Sequence, residues 1–405
     1  MTQTPSVQAQ AQAPQARRSP VEEARARLQE VERILNTAII GHENMTKAIL
    51  LATVAKEHVI VIGPPGTAKS YAIRLLSKSL NARFYSYLLT KFTTYDELFG
   101  TIDISALSKG EYKRNWSRIV TSDFVFLDEI FKANSAILNA LLSLLQERIV
   151  YDPMSGQEVP TQLWTAVGAS NETPDDELQA LFDRFAIRVF VDYLDDDRAL
   201  LNAIVARWIN NNNIQQPVAI ATMNDVRVLH DYAISLIPAR IKDLGSEIYK
   251  LYHVNVLPVV KSMRSKGIIV SDRTIIEKLP KIYAAYLALY GVTADNTMNA
   301  GYDILLFTAR TRDELRDIKK LIDDMLGEVA ELAKKLERAK EQIKARNLSS
   351  AKEVLKEILN YDVSRISKTP WLRPRVEAII ATARQYIDYI AQVEQLLDQM
   401  AKTRE

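Results

Sequence analysis

The chain has 405 residues, with 52 Lys+Arg against 50 Asp+Glu, 47% hydrophobic and 25% charged residues. That is length for about two to three domains and enough apolar material for a real core. A formal net charge of +2 gives no overall pull toward phosphate polymers or anionic membrane, so a nucleic-acid role requires a local basic patch. The absence of Cys excludes disulfides, Cys-ligated zinc, iron–sulfur clusters and thiol catalysis. The only imidazoles, His42, His58, His230 and His253, are scattered.

No stretch reaches the roughly 18 consecutive apolar residues of a membrane span, and the N-terminus lacks a charged-then-apolar leader pattern. A cytoplasmic protein without membrane insertion is expected. Residues 1–20 are Gln/Ala/Pro-rich with almost nothing large and apolar, the composition of a disordered tail. From Val21 to Ala55 the apolar spacing is helical, through Ala24, Leu28, Val31 and Leu35 and then Met45, Ile49 and Leu50, with Gly41 dividing two helices. Val59-Ile60-Val61-Ile62 reads as a buried strand that stops at Gly63-Pro64-Pro65-Gly66. Further strands are predicted over 84–88, 124–127, 163–167 and 189–191, with helical patterns between them. Strands separated by helices imply an α/β unit, a parallel sheet with helices on both faces.

Strand signals end at Asp195-Asp196-Asp197, so an all-helical unit is expected from about residue 196, with a breaker-rich joint at Asn210 to Pro217. Ile318, Leu321, Met325, Val329, Leu332, Leu336, Ala339 and Ile343 fall three and four apart, the pattern of one long amphipathic, coiled-coil-like helix. A second helix is expected from about Arg375 to Met400, striped by Ile387, Ile390, Leu397 and Met400, after the breakers Pro370 and Pro374. The two are expected to fold back on each other, as a packing face or as a partner-docking arm.

The strongest chemical signal is Gly63-Pro64-Pro65-Gly66-Thr67-Ala68-Lys69-Ser70, set between a strand and a helix as a phosphate-binding loop requires. Glycines let backbone N–H groups curl around phosphates, and the helix start adds its positive dipole end. Lys69 would neutralise β- and γ-oxygens, and Ser70 would hold Mg²⁺. Hydrolysis needs a second acidic site, supplied by Phe124-Val125-Phe126-Leu127-Asp128-Glu129. Asp128 would reach the Mg²⁺ shell and Glu129 would polarise water at the C-terminal end of a buried strand. The alternative, a solvated strand end or a helix cap, is the weaker reading given the phosphate loop upstream. A third strand leads into Asn171, a neutral amide suited to the γ-phosphate or the attacking water, although an Asn there is commonly a turn residue.

In this order and spacing, Gly63 to Ser70, Asp128-Glu129, Asn171 and Asp183-Arg184-Phe185 resemble an AAA+ ring ATPase. Within that superfamily the sequence is most similar to the MoxR family near its RavA branch, in the helix-2-insert clade. The specific tokens are Ala68-Lys69-Ser70, Thr93 to Gly100, Asp128 to Ala133 and Ala169-Ser170-Asn171-Glu172. The resemblance runs from about Leu35 to Thr311. It implies an α/β ATPase core with a helical lid; with the end of the strand signals and the long amphipathic pattern, the expected division is a disordered tail over 1–20, a core over 21–195, a lid over 196–315 and a C-terminal helical arm over 316–405. It also implies a homo-hexameric ring that hydrolyses ATP with Mg²⁺ at subunit interfaces.

The resemblance makes Arg184 an arginine finger given to the neighbouring subunit, with Arg188 the nearest competitor. Gly41 and His42 stand where adenine contacts begin. Arg273, in Val270-Ser271-Asp272-Arg273, would be a lid sensor reaching the γ-phosphate, although the sequence has Thr274 where a second Arg is usual. The insertions Ile102 to Arg118 and Ile149 to Val159 read as hairpins, either pore-facing or inert.

A ring ATPase that remodels or matures protein clients with a separate von Willebrand factor A domain protein is the leading expectation. A nucleic-acid motor or loader is the second, supported by Lys109, Lys113 and Arg114 but opposed by Asp152 and Glu158 on the other hairpin. A nucleotide-gated scaffold that docks partners through its C-terminal helices is the third.

Overall fold

The structure, a computed structural model, describes residues 19–175, 178–208, 219–238, 252–253, 256–363 and 373–402. The N-terminal tail up to residue 18 and the joint at Asn210 to Pro217 lie outside the described residues, as do the side chains of Met325, Leu397 and Met400.

Helix α1 (Pro20–Ala38) starts at a capping box. The Ser19 hydroxyl accepts from the Glu22 N–H while Glu22 accepts from the Ser19 N–H, and Pro20 fills the first turn. Its buried stripe is Ala24, Leu28, Val31 and Leu35, and helix α2 (Glu43–Ala55) follows beyond Gly41. Strand β1 (Val59–Ile62) is buried throughout. It feeds helix α3 (Lys69–Ser79), then β2 (Phe84–Leu88) and the short α4 (Tyr95–Phe99).

The first insertion follows as β3 (Gly100–Ile102), α5 (Ile104–Leu107) and β4 (Arg114–Trp116). It is a hairpin with a helical turn inside it, because the Asp103 carboxylate caps the N–H groups of Ser105 and Ala106. Next come β5 (Phe124–Asp128), α6 (Ser135–Glu147), the second hairpin β6 (Ile149–Tyr151) and β7 (Glu158–Pro160), β8 (Thr165–Ser170), α7 (Gln179–Phe182) and β9 (Ile187–Phe190).

The sheet runs β2-β5-β8-β1-β9, all parallel. Alternate residues feed two separate cores, as the period of two dictates. Val59, Val61, Phe124, Phe126, Val167 and Ala169 pack with α1, α2 and α3. Ile60, Ile62, Val125, Leu127 and Ala166 pack with α6 and α7. Both faces are therefore covered by helices, as expected. The strand predicted over 163–167 instead spans Thr165–Ser170. Its second half is made of small residues that look like a turn in sequence. Gly168 is needed because a Cβ there would come within 2.9 Å of the Phe185 ring.

Beyond β9 the described regular elements are helical: α8 (Asp197–Trp208), α9 (Met223–Leu236), α10 (Leu257–Ser265), a π-helical turn (Thr274–Lys278), α11 (Leu279–Tyr290), α12 (Ala294–Leu306) and α13 (Arg312–Lys344). Helix α13 joins two cores. Ile318, Leu321 and Ile322 belong to the main one, and Val329, Leu332, Leu336 and Ala339 to a separate C-terminal cluster. That cluster is completed by α14 (Leu348–Leu359) through Ala351, Leu355 and Ile358, and by α15 (Arg373–Lys402) through Val376, Ala383 and Ile390. The fold-back of two helices is thus a three-helix arrangement, with α14 the element that sequence reading missed.

His58, at the entry to β1, is buried between two backbone groups. Its Nε2 meets the Leu145 carbonyl at 2.7 Å, and its Nδ1 accepts the Ala166 N–H at 3.0 Å. The ring is therefore a neutral Nε2–H tautomer, and burial pushes its pKa down to about 3. A folded-state pKa below the unfolded one gives a contribution that is complete above the ordinary His range and is lost as pH falls through that range toward about 3. Each pH unit in that window is expected to cost about 1.4 kcal/mol. Urea unfolding of the wild type and of His58→Gln at descending pH checks this: the variant should show the shallower pH dependence.

Candidate active site

The sheet order sets the site. Strands β1, β5 and β8 are neighbours, all parallel, so their C-terminal ends place Gly63–Ser70, Asp128-Glu129 and Asn171 along one edge. Gly63 is fixed there by close packing, because a Cβ would lie 2.2 Å from the Val191 carbonyl oxygen. Ala68 takes a left-handed backbone (φ 59) as it enters α3, a conformation that costs a non-glycine residue strain. The buried Lys69 ammonium donates to the carbonyls of Gly63 (2.5 Å) and Pro64 (2.8 Å) and stands 3.5 Å from Asn171 Oδ1. Burial lowers its pKa, while Asp128 and Glu129 pull the other way.

Glu129 is the second left-handed residue of the site, at φ 51. That turn leaves its N–H on Asp128 Oδ1 (3.1 Å). Asn171 Nδ2 donates to Glu129 Oε1 at 2.6 Å, and the Lys132 ammonium lies 3.3 Å from Oε2. Lys69, Asn171 and Glu129 thus form one connected chain of polar groups. Sequence reading gave no role to Lys132, although its place three residues after Glu129 is the signal that would have found it.

The donor set suits a magnesium nucleotide. Ser70 is exposed at the start of α3, Asp128 ends β5, and both offer the hard oxygens that Mg²⁺ prefers. Thr67, Ala68 and Lys69 present N–H groups at a helix start. Among the described residues no group of three or more His, Asp or Glu side chains is arranged for a metal. Beside the loop, Gly41, His42 and Met45 line a cavity of about 200 Å³ with Phe190, Val191 and Leu194. Its wall is shared with the loop through Val191, whose N–H donates to Ile62 O at 2.9 Å. Burial lowers the His42 pKa against the pull of Glu43 and Asp192, which favours a neutral ring facing the cavity.

Arg184 and Arg273 are close enough for their charges to interact. Both lie where the lid meets the turn before β9, and the charge of Arg273 adds to burial in lowering the pKa of Arg184. Arg273 pairs with Glu277 at 3.0 Å. The Nε of Arg184 has no hydrogen-bond partner among the described residues. Arg188, its competitor, is consumed internally: it pairs with Asp183 (2.9 Å), donates to Thr308 O (2.8 Å) and stacks on Phe182 (4.5 Å).

The hairpins contain a buried cluster. The Arg114 guanidinium meets Asp152 Oδ2 (3.2 Å), Asp96 (2.5 Å) and the Gly100 carbonyl (2.5 Å), and Tyr112 also donates to Asp152. The single Arg114 cation is shared by the two carboxylates, and the contacts tie the two hairpins into one body. Ile104, Leu107 and Met154 remain exposed on it. No helix among the described residues is long and apolar enough to cross a membrane.

A family profile described as the MoxR domain in the MoxR-vWA-beta-propeller ternary systems matches residues 26–231. An uncharacterized protein of Methanocaldococcus jannaschii is 34% identical over 249 residues, 61% of this chain and 62% of that protein. Chaperone MoxR1 of Mycobacterium tuberculosis is 27% identical over 169 residues, 40% of this chain and 43% of that one. The chain therefore matches less than two thirds of the length of either relative. A crystal structure of a proposed ATPase from Cytophaga hutchinsonii shares the fold, with a TM-score of 0.57 at 20% identity over 74% of this chain and 96% of that one. The matched region carries the phosphate-loop strand, the acidic strand end and the Asn-bearing strand end on one sheet edge, and this chain belongs to the MoxR family of AAA+ ATPases.

Proposed function

We propose that this chain is a ring-forming ATPase, near the RavA branch, that spends ATP hydrolysis on remodelling or maturing protein complexes together with a separate von Willebrand factor A domain protein. The observation that carries the hydrolytic part is the chain of contacts Lys69–Asn171–Glu129, which gathers a phosphate-neutralising cation, a neutral amide and a water-polarising carboxylate at one strand edge. In this reading Gly63 to Ser70 cradle the phosphates and Ser70 and Asp128 hold Mg²⁺, which offsets phosphate charge when bound. Lys69 leaves its own loop's carbonyls for the β- and γ-oxygens. Glu129 orients water and Asn171 holds Glu129. Gly41 and His42 line the base pocket.

Arg184 is assigned to the phosphates of the neighbouring subunit, and Arg273, whose charge is felt at Arg184, is assigned as the lid sensor that reaches back to the γ-phosphate. A hexamer, a cytoplasmic setting and the division into core (21–195), lid (196–315) and arm (316–405) belong to the same proposal.

The partner is supported by the family description, which names a vWA component. A protein client is favoured over nucleic acid because Arg114 is paired with Asp152, which leaves Lys109, Lys113 and Arg118 as the exposed cations of the first insertion, beside apolar Ile104 and Leu107. The test is affinity capture from native lysate with the Glu129→Gln chain in ATP and Mg²⁺, read by mass spectrometry and nucleic-acid staining. A von Willebrand-type protein with a few discrete complexes supports the proposal. Nuclease-sensitive nucleic acid as the dominant capture overturns it in favour of a nucleic-acid motor. A partner captured without any client, together with slow wild-type turnover that no captured protein stimulates, would favour the gated scaffold.

A further inference from the structure

The turn that carries Arg184 is gripped by the lid. Lys278, the last residue of the π-helical turn, is 6% exposed, and its ammonium donates to the carbonyls of Asp183 (2.5 Å) and Arg184 (3.1 Å). A lysine this buried is normally paired with a carboxylate. Here its direct partners are the two main-chain carbonyls that flank the Arg184 α-carbon. Glu57 and Asp183 offset its charge from nearby, while Arg188 and Arg273 oppose it. The same region is held again: the Arg310 side chain approaches the Asp183 carboxylate at 3.8 Å, and in β9 the Arg188 backbone N–H donates to Phe307 O at 2.9 Å. The π turn is itself a departure from regular helix of the kind found at functional sites, and it carries Arg273 at its entry.

We infer that Lys278 is a positioning residue for Arg184, fixing the backbone on both sides of it so that its guanidinium is held out beside Arg273 despite their mutual repulsion. The inference rests on the proposal that Arg184 serves the neighbouring subunit. Two hydrogen-bonded carbonyls bracket a single α-carbon, so they set the direction of its side chain. Because the lysine is on the lid and the arginine on the core, lid position becomes part of what the next subunit receives. Lys278 touches no phosphate in this arrangement and acts only through Arg184.

The test uses full-length Lys278→Met and Lys278→Gln, with Lys278→Arg as the conservative rescue. Turnover, nucleotide affinity and assembly are measured, and each variant is also co-expressed with the Glu129→Gln chain. A displacement of the finger by about 1 Å is expected to lower kcat about 10²-fold with nucleotide affinity unchanged. Lys278→Arg should recover most of the activity. In mixed rings a Lys278→Met subunit keeps an intact nucleotide site, which a Glu129→Gln neighbour serves with an intact finger. Activity should therefore reappear.

A merely structural lesion would damage the subunit's own site and would not be rescued this way. Arg184→Ala with Glu129→Gln is the control. If that pair fails to complement, the finger assignment itself falls. If that pair complements and the Lys278 variants do not, or if Lys278→Met retains full activity, the inference about Lys278 falls alone. Should Lys278→Met not assemble, Lys278→Gln, which keeps one donor and a similar length, carries the same comparison.

Discussion

Glu129→Gln is expected to lower ATP turnover about 10²- to 10⁴-fold while nucleotide binding persists. The carboxylate stands at the end of a buried strand in a left-handed conformation, φ 51, that aims it across the sheet edge. There Asn171 donates to one oxygen at 2.6 Å and Lys132 lies 3.3 Å from the other. A glutamine has the same shape, and its amide oxygen can still accept from Asn171, so the local structure should survive. What it loses is the negative charge and basicity that turn a water toward phosphorus. Because Lys69 and Ser70 are untouched, affinity for the nucleotide should change by less than about threefold, roughly 0.6 kcal/mol. Phosphate release measured beside equilibrium binding of a fluorescent nucleotide separates the two. Turnover close to the wild type would remove Glu129 from the role of water-orienting group and direct attention to Asp128.

The two halves of the site differed in how far sequence could reach them. The phosphate loop and the acidic strand end were legible because both rest on local rules. Four consecutive apolar residues make a buried strand, and a Gly/Pro-rich stretch after it leaves backbone N–H groups free to face phosphate. The order β2-β5-β8-β1-β9 then follows from crossover topology, and it brings segments more than a hundred residues apart to one edge. The contact between Asn171 and Glu129 was not legible, because only the sheet register places 171 against 129.

The same limit applied to Arg114 and Asp152. In sequence they count as a basic and an acidic mark on two hairpins, whereas in the fold each is 2% exposed or less as a side chain and the two are paired. Helix α14 was missed for a different reason. Its apolar positions Ala351, Leu355 and Ile358 follow directly on the long α13 pattern, and the Asn347 cap that separates them gives a weaker break than Gly or Pro. The place of Arg273 depends on how the lid docks, which no local pattern records. Its neighbour proved to be Arg184.

Arg184→Ala is expected to reduce turnover by about 10³- to 10⁵-fold, the range of an arginine supplied across an interface to a transferring phosphoryl group. The loss should appear only in the assembled ring, since the proposal gives this arginine to the neighbouring subunit's nucleotide. It should also leave stability nearly unchanged, because Arg184 is half-buried and its Nε has no hydrogen-bond partner to forfeit among the described residues.

Arg188 provides the contrast that makes the result interpretable. Burial holds its guanidinium pKa down to about 10, and it is bonded to Asp183 and Thr308 O. Arg188→Ala removes the pair with Asp183, which keeps only the more distant Arg310, and opens the joint between sheet and lid, at a cost of about 1.5–3 kcal/mol in stability. Thermal unfolding and turnover measured on both variants therefore sort the two arginines: one should lose rate and keep its melting temperature, the other should lose its melting temperature first. If Arg184→Ala kept its rate in assembled rings, Arg184 would have to serve something other than the neighbour's phosphates. Arg273→Ala measured beside it would then show whether the lid arginine acts on the phosphates by itself.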